Sequence, residues 1–165
     1  MVKAAYEHQG PVYMRFGRSP VPVFHDEETF RFEIGRGEVM REGTDIAIIA
    51  NGLLVAEAVE AGELLAQRGL SARIINMATI KPLDEELVLQ AAAECGKIIT
   101  CEEHSVIGGL GEAVCSLLGE KRPTPVKRIG VNDVFGHSGP AAALLEQFGL
   151  CAANIASVAE QFARS

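Results

Sequence analysis

Lys97–Ala113, KIITCEEHSVIGGLGEA, decides how the chain is read. An apolar run from Lys97 to Cys101 has the composition of a buried strand. Two acids and a histidine follow (Glu102, Glu103, His104), then a turn carrying Gly108, Gly109 and Gly111, then a helical pattern. A strand that passes through glycines into a helix is the joint of a parallel α/β sheet. Such sheets place their binding crevices at the carboxyl ends of the strands.

The same joint repeats on both sides. Asp45–Ala50 is an apolar, β-rich run. Gly52–Arg68 places Leu54, Ala58, Ala61, Leu64 and Leu65 at helical spacing, and Gly69 stops it. Ala72–Met77 is the next strand. Pro82 and Asp84 open a helix with Glu85 and Glu86 in its first turn, where acids complement the helix dipole, and Gly96 closes it. After the central strand, Gly109–Leu118 reads as a helix and Val126–Val131 as a strand. The loop DVFGHSGP then leads to helices over Ala141–Phe148 and Ala152–Ala163. Glu38–Met40 fits an antiparallel edge strand. The pattern predicts an α/β fold over 32–165: a three-layer domain around a mostly parallel sheet of about five strands, with helices on both faces.

Residues 1–31 follow a different pattern. Val2–His8 reads as the tail of a helix and Val12–Phe16, VYMRF, as a strand. Pro20 and Pro22 then hold an extended linker. The strand has no evident neighbour. It is either the closing piece of another domain or a plain N-terminal arm.

With 165 residues and 48% apolar content, one ordinary domain with a sizeable core is expected. A net charge of −7 argues against nucleic-acid and anionic-membrane surfaces. No apolar stretch is expected to span a membrane, and MVKAAYEHQG has no apolar block of a signal peptide. The four cysteines form no CxxC pair, which fits reduced thiols in a cytoplasmic protein.

Glu102, Glu103 and His104 could bind a metal or exchange protons. Neighbours on an extended chain point opposite ways, however. The plainer expectation is that one glutamate accepts backbone amides of the glycine turn while His104 packs in a loop or interface. Gly108, Gly109 and Gly111 resemble a phosphate cradle at a helix N-terminus, but their spacing is not that of a dinucleotide fingerprint. Close packing of helix on sheet is the simpler account. Arg15 and Arg18 flank the linker entry, where a guanidinium fork suits a phosphate or a carboxylate. His137 lies in another loop at a strand's carboxyl end, placed to join the cleft or to cap the next helix with Ser138.

Five stretches, in order, carry a family resemblance: GPVYMRFGR (Gly10–Arg18), DIAIIANGLLVAEA, ARIINMATIKPLD (Ala72–Asp84), EEHSVIGGLGEAV (Glu102–Val114) and VKRIGVNDVFGHSG (Val126–Gly139). Together they resemble the C-terminal section of thiamine-diphosphate-dependent transketolases. Related enzymes are 1-deoxyxylulose-5-phosphate synthase and the β subunits of 2-oxo-acid dehydrogenases. The resemblance makes Val12–Phe16 a remnant strand of a preceding pyrimidine-binding domain. It implies that catalytic residues and the thiamine diphosphate and magnesium sites lie elsewhere in the complete enzyme, with no cofactor bound by this chain alone. Arg18 matches an arginine that grips the phosphate of a sugar-phosphate substrate, and Arg15 matches less closely. The implied partners are the remaining transketolase domains or subunit and a second copy in a homodimer. The alternatives are another member of the superfamily or a stand-alone assembly or anion-binding module.

Overall fold

The structure, a computed structural model, describes residues 1–26 and 28–165. After a short helix α1 (Val2–Glu7), the elements are β1 (Glu38–Arg41), β2 (Ile46–Ala50), α2 (Leu54–Gln67), β3 (Ala72–Asn76) and α3 (Glu85–Cys95). Then come β4 (Ile98–Ser105), α4 (Leu110–Lys121), β5 (Val126–Val131), α5 (Ala141–Gln147) and α6 (Ala152–Arg164). The five strands form one sheet in the order β1-β3-β2-β4-β5. All neighbours are parallel except the edge strand β1, which runs antiparallel to β3.

Alternation along the strands sorts the side chains into two cores. Ile46, Ile48 and Ala50 of β2, with Ile74, Ile99 and Cys101, pack against α2 and α6. Ala47 and Ile49, with Ile75, Met77 and Ile98, pack against α3 and α4. Every residue of β2 is fully buried, which is why this strand reads as an unbroken apolar run and not as alternation. Local signals set the ends of α3. Asp84 caps it by accepting the Leu87 amide at 3.1 Å, and Gly96 closes it with φ +71°.

Three features depart from the sequence expectation. The first concerns β4, which runs on to Ser105, so Glu102, Glu103 and His104 lie in a strand and not in a loop. Cys101 pairs with Ile129 and Ser105 with Val131, so β4 advances four positions against two on β5. The surplus residues arch over Gly130, where a Cβ would stand 2.9 Å from the His104 carbonyl oxygen. Only a residue without a side chain lets the arch close.

The second departure is that Val12–Phe16 forms no strand. A strand exists through its ladder partner, and among the described residues this segment has none. Tyr13 and Phe16 are exposed. The third is the stretch Ala141–Arg164, which is apolar enough by composition and length to pass for a membrane span, against expectation. Gly149, at φ +69°, divides it into helices of 7 and 13 residues. Both fall short of the roughly 20 residues a span requires.

Candidate functional site

The β2→β3 connection runs one way along the sheet and the β3→β4 connection runs back past β2 the other way, so the switch point of this sheet lies at the carboxyl ends of β2 and β4. The glycine turn and the start of α4 stand over it. The turn is filled by the chain itself. Glu102 is 1% exposed. Its Oε2 accepts the Leu110 amide at 2.9 Å and its Oε1 the Gly111 amide at 2.8 Å. The carboxylate therefore sits where a phosphate would sit, satisfying amides that have no partner within the helix and opposing the helix dipole. Gly109 makes the approach possible, since a Cβ there would lie 1.9 Å from Glu102 Oε2. Gly109→Ala is expected to push Glu102 out of its bonds and to lower stability by about 1–3 kcal/mol. Urea denaturation checks this, and an unchanged midpoint would mean the turn tolerates the methyl group.

Two more helix starts are served in the same way. Asp84 holds α3, and Glu57 Oε2, 95 residues away in sequence, accepts the Ala152 amide at the start of α6 at 2.7 Å. A diphosphate does not fit the glycine turn, because its amides already hold a buried anion. Among the described residues no three His, Cys, Asp or Glu side chains are grouped to hold a metal ion. The residues present therefore do not match a thiamine diphosphate–magnesium site.

Glu103 faces away from Glu102 and meets Arg15. Arg15 Nη2 donates to Glu103 Oε1 at 3.4 Å, which brings the N-terminal arm to the end of β4. His104 Nε2 is enclosed without a hydrogen-bond partner. Burial first, and then the Arg15 guanidinium, push its pKa below the ordinary imidazole range, so the ring is neutral at pH 7. The three residues thus take separate roles: one carboxylate for α4, one for the arm, and a packed imidazole. His137 is not gathered to them. Its ring lies 5.7 Å from that of Phe148, tilted by 38°. Arg18 is exposed and has no ion-pair partner among the described residues.

Sequence reasoning missed Arg128 and Glu57. Arg128 Nη1 donates to the Val106 carbonyl at 2.8 Å and lies 3.5 Å from Glu112, holding the end of the β4 arch against α4. Its contacts are set by tertiary approach, and nothing local marks it. The apolar rim was missed as well. Ile107 after β4, with Val134 and Phe135 after β5, stands exposed, Phe135 at 96%.

The domain is thus doubly wound, with its own Glu102 carboxylate filling the glycine turn at the switch point and exposed apolar residues in the loops after β4 and β5. The comparisons place it. Residues 35–155 match the family described as "Transketolase, C-terminal domain", and the chain belongs to that family. It is 46% identical over 154 residues to a 6-deoxy-6-sulfo-D-fructose transketolase subunit of Clostridium sp. (strain MSTE9), covering 93% of this chain and 48% of that subunit. It is 42% identical over 165 residues to a 1-deoxy-D-xylulose-5-phosphate synthase of Heliobacterium modesticaldum (strain ATCC 51547 / Ice1), covering 99% of this chain and 26% of the synthase. Among solved structures, a chain described as "Split gene transketolase, inactive beta4 tetramer" superposes with a TM-score of 0.92 at 49% identity, covering 97% of this chain and 52% of the other. The chain thus spans from about a quarter to about half the length of these relatives.

Proposed function

We propose that the chain is the C-terminal part of a transketolase that moves a two-carbon ketol unit between sugar phosphates. Its catalytic centre is completed by residues outside these 165, on the same polypeptide or a separate one. Thiamine diphosphate and a divalent metal are held there. The cofactor supplies the carbanion chemistry, while protein groups position the reactants. This chain contributes a domain for assembly, in a homodimer, and presents Arg18 to the substrate phosphate. On this reading residues 1–31 are the end of the pyrimidine-binding domain plus its linker, and the protein works in the cytoplasm.

The observation that carries the reading is the pairing of an arm with a bare rim. Tyr13, Phe16 and Val23 of the arm and Ile107, Val134 and Phe135 of the rim expose apolar surface, and Arg15 ties the arm to β4 at Glu103. Exposed apolar residues on an arm and on the loops near its anchor are what an interface with a further domain or subunit would cover. Val12–Phe16, unpaired here, would gain its ladder from the sheet of the missing domain. The 42% identity to a deoxyxylulose-phosphate synthase keeps that activity as a second reading.

The test is reconstitution. The purified chain alone should neither turn over a ketose phosphate nor bind thiamine diphosphate in calorimetry. Combined with the subunit or domains that complete it, it should restore ketol transfer. Turnover or micromolar cofactor binding by the 165 residues alone would refute the reading. Formation of deoxyxylulose phosphate by the reconstituted enzyme from pyruvate and a triose phosphate, with release of carbon dioxide, would favour the synthase.

A further inference from the structure

Arg15 and Arg18 lie three residues apart on the arm, yet their surroundings differ. Arg15 is engaged by Glu103, whereas Arg18 has no acidic partner among the described residues. Between residues 1–24 and the folded domain, the Arg15–Glu103 contact is the single hydrogen bond among the described residues. Glu103 is a firm anchor. Its neighbour Glu102 is locked to two amides of α4, and the arch that carries both is held over Gly130.

We propose that Glu103 is a positioning residue. By holding Arg15 it fixes the path of the arm and so places Arg18 for the substrate phosphate. Arg15 is then a tether and not a second phosphate ligand, its charge being taken up by Glu103. The proposal rests on the reading that Arg18 meets a substrate phosphate in the assembled enzyme.

The experiment compares variants of the assembled transferase with a phosphorylated acceptor aldose and its unphosphorylated analogue. Glu103→Gln should raise KM for the phosphorylated acceptor about two- to five-fold, the range open to a half-exposed ion pair. It should leave kcat and the unphosphorylated acceptor unchanged. Arg15→Ala should do the same, and the double variant should be no worse than either single one, because both break one contact. Arg15→Lys should keep the wild-type KM, since a single-pronged contact at 3.4 Å needs the charge and not the fork. A loss of kcat at constant KM, or additive effects in the double variant, would overturn the proposal. If Arg18→Ala raises KM while Glu103→Gln does not, the positioning role fails and the phosphate reading stands. If Arg18→Ala also leaves KM unchanged, the phosphate reading fails and the positioning role goes with it.

Discussion

Glu102→Ala should destabilise the purified chain by about 3–5 kcal/mol, read as a large drop in urea midpoint. Two amides at the start of α4, now bonded at 2.8 and 2.9 Å, would be left in a site that water does not reach. Each unsatisfied buried amide costs about 1–3 kcal/mol. Loss of the negative charge from the helix N-terminus adds up to about 2 kcal/mol in a buried geometry. Domains of this size hold about 5–15 kcal/mol in all, so the variant would be close to unfolding at physiological temperature. Glu102→Gln keeps the shape and one acceptor oxygen, and should fall between the two. If Glu102→Ala were within about 0.5 kcal/mol of wild type, the carboxylate would not be the element that closes the crevice. Any exchangeable anion would then be a candidate for that position.

Arg18→Ala should raise KM for phosphorylated acceptors roughly ten- to a hundred-fold in the assembled enzyme. A hydrogen bond between charged groups is worth about 1.5–3 kcal/mol, and each 1.36 kcal/mol is about a factor of ten. The melting temperature of the chain should not move, because Arg18 is exposed and pairs with no acid among the described residues. Unphosphorylated acceptors should be handled as by the wild type. Unchanged KM for the phosphorylated acceptor would remove Arg18 from the substrate site. Glu102 and Arg18 thus test separate halves of the reading: the first whether the domain is closed to ligands of its own, the second whether it lends a residue to a site elsewhere.

The layers of the fold were legible because their signals are local. Asp84 and Gly96 mark the ends of α3 within one turn of the helix they bound. Ile46, Ile48 and Ile49 mark a strand covered on both faces. The 3.6-residue spacing in α2 needs no knowledge of what α2 packs against. Glu38–Met40 was legible as an edge strand and extends to Arg41. The plain expectation for the glycine turn, a glutamate accepting its amides, holds for Glu102. The extent of β4 was not legible, since Glu102, Glu103 and His104 have no strand composition. They are drawn into the sheet by β5, which pairs with Ser105 beyond them. Val12–Phe16 failed the opposite way. Its composition is that of a strand, but composition supplies no partner.

The sequence by itself settled the element order from Glu38 onward, the α/β class and the family pattern, because periodicity, caps and motif order are properties of neighbouring residues. Only the tertiary structure decided which acid does what. Glu102 reaches amides eight and nine residues ahead of it, and Glu103 reaches an arginine 88 residues behind it. Those assignments follow from an arch in β4 that exists only because Gly130, on another strand, leaves room for it. No pattern read along one segment can contain a distance set by two.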